Sequence, residues 1–141
     1  MRLSHVSPIF VEFIPECIDS GKLYISEEHE IAIHKCCCGC GEEVVTPLSP
    51  VDWQITKSSK GISLYPSIGN WNYRCKSHYF IRNNKVVWAA QMSENKIRLV
   101  QERDIRDKQM YIKQRNRTNS KHWLLSIISA IWNAIMSIFK K

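Results

Sequence analysis

The chain has 141 residues, 44% of them hydrophobic, and a formal net charge of +7. It is long enough for one small domain plus an extension, and it contains no internal repeat, which excludes a solenoid or propeller. The charge is uneven: residues 1–90 carry nine Lys/Arg and nine Asp/Glu, so the whole excess lies in 91–141, with eleven against four.

Residues 1–90 read as a β-rich domain. Phe10–Ile14 alternates weakly, Lys22–Ser26 is a short strand, and Glu30–His34 runs straight into a group of cysteines that Val44–Thr46 leaves. Trp53–Thr56 and Ile62–Tyr65 are strands separated by a Lys57–Gly61 turn. His78–Arg82 and Lys85–Trp88 flank Asn83-Asn84. Asparagine tolerates positive φ, so this pair predicts a tight hairpin.

The period then changes. Ser93 caps a charged helix over 93–110, with Glu94 in its first turn and a thin apolar stripe of Ile97, Val100, Ile105 and Met110. Residues 113–121 are polar and basic and read as a linker, so that 91–121 is a basic helix and linker. Trp123–Phe139 carries no charge and is bounded by Lys121 and Lys140-Lys141. Ser126, Ser129, Asn133 and Ser137 form one narrow polar stripe on a helix over 122–141. Such a helix spans about 25 Å against roughly 30 Å of hydrocarbon. The expectation is association of residues 121–141 with a membrane surface or bilayer, with a cytoplasmic β domain. The alternative is a helix docked on the β domain or on a partner.

The chemistry lies in the thiols. Cys36-Cys37-Cys38-Gly39-Cys40 is followed by Cys75-Lys76-Ser77-His78. Gly39 and Gly41 give the first turn its freedom. Two thiol-rich turns make a soft pocket suited to zinc or an iron–sulfur cluster. Within the first turn, Cys37 with Cys40 and Cys36 with Cys38 and Cys40 are alternative ligand sets; Cys75 and His78 supply the second half. Disulfides are disfavoured, since adjacent cysteines cannot bridge one another, only Cys17 and Cys75 lie outside the cluster, and Met1–Pro8 is no secretory signal. Cys17 reads as a buried small hydrophobe and His34 as a solvated strand residue.

No Gly-rich phosphate loop, Gly-x-Ser-x-Gly or His-Glu-x-x-His is present, and Glu42 and Glu43 read as surface. The residues therefore point to a non-catalytic module. The alternatives are a Rieske-like redox protein, which requires two Cys and two His, and a nucleic-acid binder prompted by the basic stretch from Arg98 to Lys121. The neutral β domain and the lack of an aromatic-basic motif disfavour nucleic acid.

Cys36–Gly41, Trp53, Ser63-Leu64-Tyr65-Pro66-Ser67-Ile68, Cys75–Arg82 and Val87-Trp88 together resemble a family of small bacterial proteins without an assigned activity. The resemblance covers roughly residues 8–95. It implies metal binding and a place beside bacterial ubiquitin-like conjugation genes. It also makes Cys36, Cys38 and Cys40 the shared thiols, tilting the ligand set away from Cys37. The resulting expectation is a zinc-binding adaptor, with a protein partner, in a ubiquitin-like modification or defence pathway at the membrane. Its metal ligands are drawn from Cys36, Cys38, Cys40, Cys75 and His78.

Overall fold

The described residues form eight strands: β1 (Ser7–Phe10), β2 (Lys22–Ser26), β3 (Ile31–Lys35), β4 (Glu43–Pro47), β5 (Gln54–Ser58), β6 (Gly61–Gly69), β7 (His78–Arg82) and β8 (Lys85–Trp88), with inward and outward side chains alternating most cleanly in β3, β4 and β7. A helix, α1 (Glu94–Ile138), follows. The computed structural model describes residues 1–138; of the side chains beyond 118 it describes Trp123 and Trp132.

The strands form two four-stranded sheets in sequence order, β1-β2-β3-β4 and β5-β6-β7-β8. β1 lies parallel to β2, and every other pair is antiparallel. Leu23, Ile25, Ala32 and Val44 of the first sheet, with Cys36 and Cys37 just after β3, share one buried core with Ile62, Leu64, Ile68, Tyr79, Ile81 and Val86 of the second. The mainly-β expectation is met. The β7–β8 turn forms as the sequence predicts, with Asn83 and Asn84 at φ of 49° and 66°.

β6 and β7 pair with an irregularity: the register shifts between Leu64 and Ile68, across Tyr65-Pro66-Ser67. Beyond the shift, Ile68 pairs Tyr79 and Gly69 pairs His78. Ile68 and Tyr79 turn into the core. Alternation then sends Ser67, Gly69 and His78 to the opposite face.

The chain divides into two units, 1–101 and 102–141. Ile97 N donates to Ser93 O at 3.0 Å, which makes Ser93 the N-cap residue, as its type predicts. The helix then runs without a break through 113–121, where the composition reads as a linker. Arg, Lys, Gln and Glu are good helix formers, and nothing in that stretch is proline or glycine.

The expected membrane attachment is corrected. No helix among the described residues is long and apolar enough to cross a membrane. The apolar run is the end of a helix that is charged for most of its length, and four polar residues interrupt it. The cytoplasmic placement drawn from that anchor loses its support with it. Residues 139–141 of the expected tail lie outside the described residues.

Candidate functional site

The cysteine cluster is the connection between β3 and β4. Cys36 N donates to Glu42 O at 2.7 Å, extending the ladder by one pair, and Gly39 N donates to Cys36 O at 3.0 Å. Gly39 and Gly41 sit at φ of 84° and 89°, where a side chain is strained. The chain thereby reverses within a few residues and turns three thiols to one side. The fourth comes from the β6–β7 loop, where Lys76 N donates to Tyr73 O and Lys76 takes φ of 43°.

The Sγ atoms of Cys36, Cys38, Cys40 and Cys75 all lie within 4.8 Å of one another. Cys36 is 3.4 Å from Cys38 and 4.0 Å from Cys75. Four thiolates about 2.3 Å from a tetrahedral zinc stand roughly 3.8 Å apart, so the donor set fits such an ion. Burial raises the Cys38 and Cys40 thiols above the ordinary range. Burial also pushes on Cys75, but hydrogen bonds from the Ser77 side chain and backbone and from the Cys38 and Cys40 thiols overcome it and bring Cys75 to about 7. Cys75 thus ionises more readily than Cys38 or Cys40. Cys37 points away into the core, where burial raises it to about 12. No disulfide joins the cysteines, and Cys17 is exposed rather than buried.

His78 is not among the close thiols. Its position at the start of β7 turns it to the outer face, away from the cluster, although Cys75 is only three residues before it. His34 is not there either, so no two-cysteine, two-histidine Rieske set forms among the described residues. His34 is fully buried instead of solvated. Its Nε2 lies 2.8 Å from the Tyr79 hydroxyl. Asn70 Nδ2 reaches that hydroxyl at 3.5 Å, Ser77 Oγ at 2.8 Å and Cys36 Sγ at 3.5 Å. Ser77 Oγ is 3.1 Å from Cys36 Sγ. A buried polar chain therefore runs from His34 to the cluster. Its hydroxyl and amide groups support Cys36 as outer-shell partners support a metal ligand.

Burial lowers His34 from 6.5 to about 4. The unfolded chain takes up a proton near pH 6.5 that the folded chain refuses until about 4. Acid within that window therefore favours unfolding. Between pH 7 and 4 the wild-type chain is expected to lose about 3 kcal/mol more stability than His34→Gln, as measured by urea unfolding at the two pH values. Equal losses in the two chains would remove His34 as the cause.

On the outer face, β6 and β7 make a second constellation. Ser67 Oγ and His78 Nε2 are 3.0 Å apart. His78 Nδ1 is 3.2 Å from Ala90 O, and Ala89 N donates to His78 O at 3.0 Å, so the segment after β8 holds both ring and backbone. A carbonyl only accepts, so Nδ1 carries the proton and Nε2 accepts from the serine hydroxyl. Gly69 stands opposite His78 and has no side chain. A Cβ there would come within 2.3 Å of the Trp71 ring, which occupies that space and lies 4.9 Å, centroid to centroid, from the His78 ring. Phe80 lies 6.1 Å away on the same strand. The imidazole is therefore fixed in place and in tautomer. It can take the Ser67 proton when that oxygen attacks an electrophile.

Sequence reasoning did not select Ser67. The signal was present in Tyr65-Pro66-Ser67-Ile68-Gly69, but only the strand pairing brings it to His78.

The β domain thus presents a serine–histidine pair on one sheet and, between strands, four thiols close enough to hold a metal ion. Residues 10–89 match the family described as the bacterial ubiquitination-like system serine protease, BubE. The match spans more than half of the chain, and the protein belongs to this family. No curated protein and no solved structure matches the chain.

Proposed function

We propose that the chain is a serine peptidase of a bacterial ubiquitin-like pathway, with Ser67 as nucleophile and His78 as general base. The observation that carries this reading is the 3.0 Å contact between Ser67 Oγ and His78 Nε2, with Nδ1 engaged by Ala90 O. The family description supports it and disfavours the non-catalytic adaptor.

In the reaction, Ser67 Oγ attacks the substrate carbonyl while its proton passes to His78 Nε2. Collapse of the tetrahedral adduct expels the leaving amine, which takes that proton, and leaves an ester on Ser67. Water then attacks the ester, gives a proton to Nε2, and the second collapse returns it to Ser67 Oγ. Ala90 O takes the place that a carboxylate fills in a triad. It orients the ring and accepts from the imidazolium, but as a neutral acceptor it stabilises that charge less than an anion would.

Cys36, Cys38, Cys40 and Cys75 would hold a zinc ion, with iron–sulfur chemistry as the alternative for the same thiols. Four protein ligands close the coordination sphere, so the ion would serve as a cross-link between the β3–β4 turn and the β6–β7 loop. Its role is then to hold the loop from which β7 and His78 begin.

The test is reaction with a small fluorophosphonate, followed by mapping of the adduct. Phosphonylation at Ser67 in the full chain, lost in Ser67→Ala and slowed in His78→Gln, is the expected result. Absence of an adduct on Ser67, or an adduct formed equally well without His78, overturns the assignment.

A further inference from the structure

β4 is an edge strand. Its even-numbered positions face β3: Cys36 N donates to Glu42 O, Leu48 N donates to Glu30 O, and the register pairs Val44 with His34 and Thr46 with Ala32. In an antiparallel ladder the odd-numbered residues then direct N–H and C=O away from β3. Two of these outward carbonyls are occupied. The Tyr73 hydroxyl donates to Glu43 O, and Trp53 N donates to Pro47 O at 3.1 Å. Val45 lies between them, and among the described residues no backbone group pairs with its outward amide. Val45 is 48% exposed.

Val45 opens on a cavity of about 230 Å³ whose walls include Val44, Trp53, Ile68, Gly69, Trp71 and Tyr73. Ile68 and Gly69 directly follow Ser67 in β6, so the cavity begins within two residues of the candidate nucleophile. Trp71 serves both places: it lies over Gly69 and against His78, and it walls the cavity. Trp53 keeps its indole N–H buried without an acceptor. The space is smaller than a typical cofactor pocket and suits a single large side chain.

We infer that an extended segment of the polypeptide substrate adds to β4 at Val45, places one apolar side chain in this cavity, and thereby seats its scissile carbonyl at Ser67. The inference rests on Ser67 and His78 being the reacting pair. Edge-strand addition draws affinity from main-chain hydrogen bonds and specificity from pockets for alternate side chains. Tyr73 and Trp53 close the ladder on either side, so a short tail fits where a long strand from a second copy does not. The occupant is therefore a flexible, extended peptide and not a folded sheet edge.

The test uses the full chain with N-acetyl tetrapeptide coumarin amides, glycine at every position except one that carries Leu, Ala or Asp, and the same peptides N-methylated at single amides. At one position Leu is expected to exceed Asp in kcat/KM roughly ten-fold, and one N-methyl group to lower kcat/KM about ten-fold, as loss of ladder bonds requires. Val45→Pro, which removes an N–H that β3 does not use, is expected to lower kcat/KM similarly. Fluorophosphonate labelling of the wild-type chain reads the Ser67–His78 pair separately. Normal labelling with hydrolysis indifferent to both the side-chain and the N-methyl series overturns the binding site alone. No labelling and no hydrolysis overturns the reacting pair and this site with it.

Discussion

Ser67→Ala is expected to reduce the turnover of a cleavable peptide or isopeptide at least about 10⁴-fold, because in the proposed reaction the residue supplies the atom that carries the acyl group. His78→Gln is expected to cost about as much, and the double variant no more than either alone, since the two side chains act as one unit. Ser67 is half-buried on the outer face, and its hydroxyl is bonded to His78. Its removal leaves no buried orphan and should shift the melting temperature by only a few degrees. Steady-state hydrolysis and thermal melting of the three variants separate chemistry from folding. A Ser67→Ala chain that kept a hundredth of the wild-type rate would sink the nucleophile assignment.

The parts of this fold that follow a simple period were readable from the chain. Lys22–Ser26 and His78–Arg82 form the strands their composition announces, Asn83-Asn84 makes the hairpin, and Ser93 starts the helix. The meeting of Cys36, Cys38 and Cys40 with Cys75 was readable too, because the two thiol-rich turns stand at strand ends. His78 misled because a Cys-x-x-His spacing in a loop brings both groups to one ion. Here β7 starts at the histidine, and strand alternation gives His78 a face of its own. His34 misled for a related reason. In β3 the isoleucines are half-buried while Ala32 and His34 fill the interior, and the histidine is tolerated there because Tyr79 supplies its hydrogen-bond partner from the other sheet. Ser67 did not stand out because the histidine it meets comes from the neighbouring strand, through a register shift that no local motif announces.

Cys75→Ser is expected to cost far more stability than any other single thiol change that leaves the core intact. Cys36, Cys38 and Cys40 all belong to the turn of the first sheet, whereas Cys75 is the one member of the group that the second sheet's loop contributes. A metal held by these four residues ties the sheets together only through Cys75. In a domain this small the binding free energy of a structural metal is largely folding free energy. Loss of that tie should lower the melting temperature by more than about 15 °C, on the scale of 4–8 °C per kcal/mol for a domain near this size. Exposed Cys17→Ser serves as the control and should lie within about 0.5 kcal/mol of wild type. Treatment with a strong chelator should reproduce the Cys75→Ser effect in the wild-type chain and add nothing to the variant. Because Cys75 and His78 share one short segment, peptide hydrolysis should fall in parallel with metal content, even though neither change touches Ser67. Elemental analysis, melting and hydrolysis measured on the same samples give the decision. A Cys75→Ser protein with full metal content and an unchanged melting temperature would show that the four thiols hold nothing together.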